Sequence, residues 1–354
     1  MKKLALTVLA FSLIATFTLA GALQAAAWYV YQELGNTLGG SWSDAYDINN
    51  ANQVVGSADN GDGYTRAFLK NPGQPMIDLD DLGGSWAVAY AINNVGQVVG
   101  QAEDGDGKWL AFLREPEGPP LIPLGTLGGN WSTALGINNA GQVVGASLIS
   151  DGYTRAFLMD PGQPMVSLGT LGGNESAAIC INSAGQVAGW AETGDGKTPA
   201  FLKDPGQPMT NLGTIGGSVA TAFGINDAGQ VVGEAADSAN EARAFLKNPG
   251  ENMQDLGDLG GTWNRANDIN SYGQVVGFAE DNGGTLHAFI WENGVMQKLE
   301  DLTINLPPGV ILLEGRAIND NGWIVGRDYN GHAFLLTPAP TGAAGYVPLG
   351  LLLN

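Results

Sequence analysis

Hydrophobic and polar positions along this chain repeat with one long period. Ile-Asn pairs recur at 48–49, 92–93, 137–138, 181–182, 225–226, 269–270 and 318–319, spaced by 44, 45, 44, 44, 44 and 49 residues. Around each pair the chain reads approximately L-G-x-L-G-G-x-x-x-A-x-x-I-N-x-x-G-Q-V-V-G, then a loop, then A-F-L, then P-G-x-P-M-x-x-L-G. Every unit holds four short β-prone runs separated by Gly, Pro and Asn turn signals, the composition of one propeller blade. Seven such units predict an all-β fold, a seven-bladed β-propeller of four-stranded antiparallel blades.

The first hairpin of each unit follows from residue chemistry. Asn-x-x-Gly suits a type I turn closed by a residue in the left-handed region, opening a G1 bulge. Six copies place Gly there and the first places Asn52, the residue type that next best tolerates positive φ. The repeated Asn therefore reads as a turn former rather than as catalytic. Strict alternation along the first strand puts each Ile, and the residue two before it (Tyr46, Tyr90, Leu135, Ile179, Phe223), on one face. Small residues such as Ala45, Ala89 and Gly315 fall on the other, so large faces are expected to pack on small ones. The last copy supplies three strands, ending near Leu335. Residues 28–35 match the fourth-strand pattern of 252–257 and are expected to complete the last blade, hiding both edges. A rival for that slot is Tyr346–Gly350, which resembles Leu121–Gly125.

Composition adds compartment and partners. Lys2 and Lys3, an apolar run over 4–20 and small residues up to Ala27 read as a secretory signal. An uncleaved membrane anchor is the alternative, since the apolar run is near the lower limit for a span. The expected organisation is a signal peptide over 1–27, the propeller over 28–337 with no membrane span, and a tail over 338–354. Losing both lysines takes the net charge from −20 to −22, which disfavours nucleic acid and anionic membranes as partners. Cys180 is the only cysteine, so no intrachain disulfide forms; it reads as a small buried thiol in a chain expected to be monomeric.

Taken in order, L-G-T-L-G-G, A-x-x-I-N-x-x-G-Q-V-V-G and (H)-A-F-L resemble the HAF family of extracellular repeats over about residues 31–337. His287-Ala-Phe and His332-Ala-Phe carry the full signature; elsewhere Arg66, Leu110, Arg155, Pro199 and Arg243 stand in for His. That variation argues against a required His chemistry. The resemblance implies export from a bacterium and no established activity.

Three groups of residues are candidates for chemistry. Gly-rich acidic loops contain Asp59 and Asp62, then Asp104 and Asp106, then Asp195. Closely spaced oxygens of this kind suit weakly bound Ca²⁺, although Asp-Gly and Asn-Gly are also hairpin turns and no closing bidentate acid follows. A partial aromatic series, Trp42, Trp86, Trp131 and Trp263, offers stacking platforms for sugars or packing between blades. Finally, the first strands of units six, seven and one carry Arg265, Asn267, Asp268, Glu314, Arg316, Asp44 and Asp47 where other copies are apolar or small. In a closed ring these units are neighbours, so mixed charge converges near one end of the channel, either as a ligand site or as ion pairing at the closure seam. Walker, dinucleotide-binding and G-x-S-x-G signatures are lacking in any suitable context. Three readings follow: a non-enzymatic binding or scaffold module for extracellular glycan or protein, a carbohydrate-active hydrolase or lyase, and a structural surface or matrix component.

Overall fold

The computed structural model describes residues 28–340 except 117 and 119. Its strands fall into seven antiparallel sets of four, called sheets 1 to 7 and containing in turn Ser43–Ile48, Gly83–Ile92, Gly128–Ile137, Gly172–Ile181, Gly216–Ile225, Gly260–Ile269 and Leu312–Ile318. Sheet 2 shows the pattern: Gly83–Ile92, Val98–Asp104, Trp109–Arg114 and Ile122–Gly125, each strand paired with the next. Single parallel bridges, Thr65 to Trp86 and Trp109 to Trp131, link sheets 1, 2 and 3. The only helical turn among the described residues is a 3-10 turn over Glu300–Leu302. No helix there is long and apolar enough to cross a membrane.

Each seam between consecutive sheets holds its own apolar cluster. Val55, Ala67 and Leu69 of sheet 1 meet Ala89, Ile92, Val98 and Phe112 of sheet 2. The same chemistry joins Ala317, Val325 and Leu335 of sheet 7 to Ala45, Ile48 and Phe68 of sheet 1. The phenylalanines of A-F-L are fully buried, each adding about 2–3 kcal/mol by removal from water.

The strict alternation expected for the first strand does not hold, because every copy carries a β-bulge. In sheet 1 the register shifts between Ala45 and Asp47, in sheet 2 between Ala89 and Ala91, and in sheet 7 between Gly315 and Ala317. One extra residue inverts the faces. Ala45 and Ile48 consequently share one cluster, while Tyr46, Tyr90, Leu135, Ile179 and Phe223 line one cavity. The hairpin that follows is the expected one, with Asn52 at φ 62° and Gly96 at φ 86°.

Each repeated Asn does more than turn the chain. Asn93 Oδ1 accepts from the backbone N–H groups of Val95 and Gln97, and its Nδ2 donates to Gln97 Oε1 and to the carbonyl of Asn138 in the next sheet. Equivalent links run Asn49 to Asn93, then through Asn138, Asn182, Asn226, Asn270 and Asn319, and Asn319 donates back to the carbonyl of Asn49.

The N-terminal strand Tyr29–Glu33 pairs antiparallel with Ala333–Pro338, as the fourth member of sheet 7. The five residues that lengthen the sixth spacing hold it there. Asn305 accepts from the Tyr31 N–H and donates to the Tyr31 carbonyl, at 2.6 and 3.0 Å. The rival segment 346–350 lies outside the described residues, as does the signal over 1–27.

Candidate functional site

The first strands of sheets 1 to 6 follow a Gly-Gly pair, and all seven run toward the linked asparagines, so the space between them has two ends. At the end away from the asparagines, Tyr46, Tyr90, Leu135, Ile179 and Phe223 of sheets 1 to 5 face Arg265, Asn267, Glu314 and Arg316 of sheets 6 and 7. The mouth encloses about 750 Å³ of space open to solvent. One wall is aromatic and aliphatic, the other polar and charged. The sequence had assigned the apolar five to strand packing; only the bulge brings them to the channel.

The charged wall is one network. Arg265 pairs with Glu314 at 2.7 Å and donates from Nε to Asn267 at 2.8 Å, and Asn267 Nδ2 donates to the same Glu314 oxygen at 2.9 Å. Arg316 bridges Glu314 at 3.2 Å and Asp44 at 3.0 Å. Its guanidinium stacks on Tyr46 at 4.5 Å from the ring centre, and Arg265 stacks on Phe223 at 4.8 Å. Asp44 lies behind Arg316, 4% exposed; burial raises its carboxyl although Arg316 and Arg327 pull the other way. Asp44 is thus a buttress of the wall rather than a surface of the mouth.

Asp47 and Asp268 belong to a deeper layer and make no ion pair among the described residues. The Asp47 carboxylate accepts from the N–H of Ile48 at 2.7 Å and from that of Ile92 in the next sheet at 2.8 Å. Asp268 does the same for Ile269 at 2.8 Å and Ile318 at 2.9 Å. Burial, with Asp268 adding its charge, pushes Asp47 up to about 7, and burial pushes Asp268 up to about 6. The seven-residue cluster expected at the seam therefore divides into two layers: five groups in a mouth network and two carboxyls clasping backbone amides below it.

The tryptophans sit around the same end of the fold, at the start of the first strands. Trp42, Trp86 and Trp131 are half-buried and Trp263 is 45% exposed. Trp86 stacks against Trp109 at 4.3 Å, a partner the repeat series does not contain. Trp263 packs edge-on against Phe278 and donates to Glu234 at 3.4 Å. They are seam residues with exposed edges, and Trp263 touches the mouth wall through Phe278, on which Arg265 also stacks.

In the acidic loops the side chains serve the turns. Asp104 Oδ1 accepts the N–H groups of Asp106 and Lys108, and Asn60 does the same for Asp62 and Tyr64. Asp59 accepts from Asn36, Trp42 and Ser41. Lys197, and then Thr193, hold Asp195 down at about 2. No group of three or more metal-ligating side chains gathers among the described residues. At the His position of A-F-L, Arg66 pairs with Asp81 and Arg243 with Asp258, and His287 hydrogen-bonds to Asp281 and Glu300; Leu110 and Pro199 of other repeats can make no such contact. Cys180 borders the deep layer, where burial and then Asp268 push its thiol up, away from the nucleophilic thiolate.

No family model matches the chain, and no curated protein matches it in sequence. Solved structures do resemble it in fold. A catalytically inactive virginiamycin B lyase from Staphylococcus aureus, with quinupristin, has a TM-score of 0.55 at 10% identity over 88% of this chain and 100% of its own. A chain of the mitotic checkpoint complex gives 0.51 at 13% identity, covering 95% and 99%. TolB from Acinetobacter baumannii gives 0.50 at 10% identity, covering 81% of this chain and 63% of TolB. These likenesses are of fold alone: the chain is an all-β protein of the β-propeller kind.

Proposed function

We propose that this chain is a closed seven-bladed β-propeller, of the HAF repeat type and exported by a bacterium, that acts as a non-enzymatic binding module for an extracellular glycan. Closure draws support from the Asn-to-Asn circuit and from the shared core of sheets 7 and 1. The two-sided mouth carries the binding reading. Sugar rings present apolar C–H faces that stack on Tyr46 and Tyr90, and hydroxyls that Arg265 and Asn267 can satisfy. A protein partner docking on the same mouth is the other form of this reading.

A hydrolase or lyase would need an acid free to exchange a proton with substrate. The carboxyls held near neutrality, Asp47 and Asp268, have each oxygen engaged by a backbone N–H, and Glu314 is committed to two arginines. A purely structural role has no use for an open mouth with opposed walls. The discriminating experiment is a glycan array with a polysaccharide-degradation assay on residues 28–354. Binding without turnover is expected, weakened at least tenfold by Tyr90→Ala and by Asn267→Ala, each about 1.4 kcal/mol or more. Product formation would overturn the binding reading in favour of the enzyme. Absence of glycan capture would leave the protein-partner form, tested by pull-down with the same two variants.

A further inference from the structure

We infer that the deep layer of the channel is a binding site for a small monocarboxylate with an apolar tail, its head on the backbone amides of Ile137, Ile181 and Ile225. Strand geometry sets the direction of these amides. In every hairpin the N–H of the repeated Asn donates across to the fourth residue beyond it: Asn138 to Gln142, Asn182 to Gln186 and Asn226 to Gln230, each at 3.1 Å. Antiparallel pairs alternate, so the preceding Ile–Val pair is non-hydrogen-bonded and the Ile N–H points away from the second strand. The first strand lies at the end of its sheet, and beyond it is the channel.

Seven Ile amides therefore face inward, and this protein already shows what they bind. Asp47 and Asp268 each lay one carboxylate across two adjacent amides, and together they cover Ile48, Ile92, Ile269 and Ile318. Sheets 3, 4 and 5 have Gly136, Cys180 and Gly224 where those aspartates stand, so no carboxylate reaches their amides. The cavity lining agrees: among the seven isoleucines, Ile137, Ile181 and Ile225 alone border the deep cavity. By the repeat they are spaced as the pairs that Asp47 and Asp268 span.

The same three sheets place Leu135, Ile179 and Phe223 one step nearer the mouth. On the side of sheets 3 to 5 a ligand entering from there meets apolar walls first and amide donors beneath them, while across the cavity Asp47 and Asp268 hold their oxygens on other Ile amides; the Ile carbonyls come one peptide later, toward the linked asparagines. Arg316 borders the same cavity, and its buried Nε has no partner. Donors below and apolar side chains above define a carboxylate with a short hydrophobic tail rather than a neutral or polyanionic ligand.

This site shares its entrance with the proposed glycan site but not its outcome, since a sugar held at the mouth need not reach the amides. The probe is phenylacetate, with phenylethanol as its neutral counterpart, titrated into 15N-labelled protein and followed by NMR. Saturable shifts at the amides of Ile137, Ile181 and Ile225, with phenylethanol at least tenfold weaker, are expected. Cys180→Asp places a carboxylate where Asp47 and Asp268 have theirs and should abolish binding; Cβ is already present there, so the backbone need not move. If that variant fails to fold, Phe223→Ala keeps the amides and should weaken phenylacetate several-fold while leaving acetate unchanged. No saturation up to about 10 mM, equal binding of phenylethanol, or undiminished binding by folded Cys180→Asp would overturn the assignment. A positive glycan array with silent Ile amides would sink this site alone.

Discussion

Asp47 and Asp268 are two half-buried carboxyls lining a cavity, hydrogen-bonded to backbone amides rather than to a basic side chain among the described residues, and their protonation sets a pH dependence. Each is raised in the folded state, to about 7 and about 6, from an ordinary value of 3.8. Between pH 4 and 7 the folded protein therefore holds protons that the unfolded chain has released, and stability falls as pH rises through that window. Denaturant midpoints measured from pH 5 to pH 8 should decline, and Asp47→Asn should flatten the decline. An unchanged slope in a folded Asp47→Asn would remove Asp47 as its source. The anomaly of these residues was legible in the sequence, because a carboxylate stands where other repeats have Ala, Gly or Cys. Their partners were not, since backbone N–H groups leave no mark on residue identity. Asn52 is a second case. The sequence identified it as a substitute for Gly at positive φ, but not that its Oδ1 would accept from Asn319 at 2.8 Å and Asn321 at 3.0 Å. Residue 323 is Trp rather than Gln in that repeat, so Asn52 supplies the acceptor that Gln provides elsewhere.

At the level of the strand, the V-V-G and A-F-L motifs of neighbouring strands form one packing unit. The Gly of V-V-G lies against the Phe of A-F-L: a Cβ on Gly145 would stand 2.0 Å from the carbonyl oxygen of Thr133 and 2.8 Å from the ring of Phe157. Its φ is ordinary, so the requirement is for space rather than for conformational freedom. Gly145→Ala should cost about 3 kcal/mol through overpacking, read as a lowered denaturation midpoint. Gly152→Ala, at positive φ with open space around it, should cost about 1 kcal/mol from backbone strain alone. Equal losses would show that space beside Phe157 is not limiting. The bulge in the first strand belongs to this scale too. Periodicity predicted the strand but placed Tyr46, Tyr90 and Phe223 on the wrong face, because a two-residue period cannot register one inserted residue. A sequence signal did exist: in a strictly alternating strand Ala45 and Ile48 would lie on opposite faces, yet both positions are constrained in most repeats to the sizes a single core requires.

For the molecule as a whole, the joint between the two chain ends is distinct from the other seams. Sheet 7 takes its outer strand from residues 29–33, about 300 residues from its partner strand Ala333–Pro338, and its grip comes from the segment after Glu300–Leu302. Asn305 matches both polar groups of Tyr31, as a neighbouring strand would, and the Ile304 N–H donates to the Tyr29 carbonyl at 3.0 Å. Asn305→Ala removes two hydrogen bonds, at about 1 kcal/mol each. Faster amide hydrogen exchange is expected in Tyr29–Glu33 and along Ala333–Pro338, with sheets 3 and 4 unaffected. Uniform acceleration in all sheets would mean that the joint does not open locally.

Repeat count, strand number, hairpin type and the positions that break the pattern are properties of local chemistry, and the sequence by itself determined them. Turn residues restrict φ within four positions, and apolar periodicity recurs within one unit. Which groups share a cavity was decided only by tertiary structure. One bulge per sheet turns Tyr46, Leu135 and Phe223 from a presumed core face into a channel wall. The depth of each residue along the first strand then separates Asp47 and Asp268 from Arg265, Glu314 and Arg316. The amides of Ile137, Ile181 and Ile225 owe their exposure to the absence of a neighbour's side chain. Absence of a partner depends on several strands at once, and no single stretch of chain encodes it.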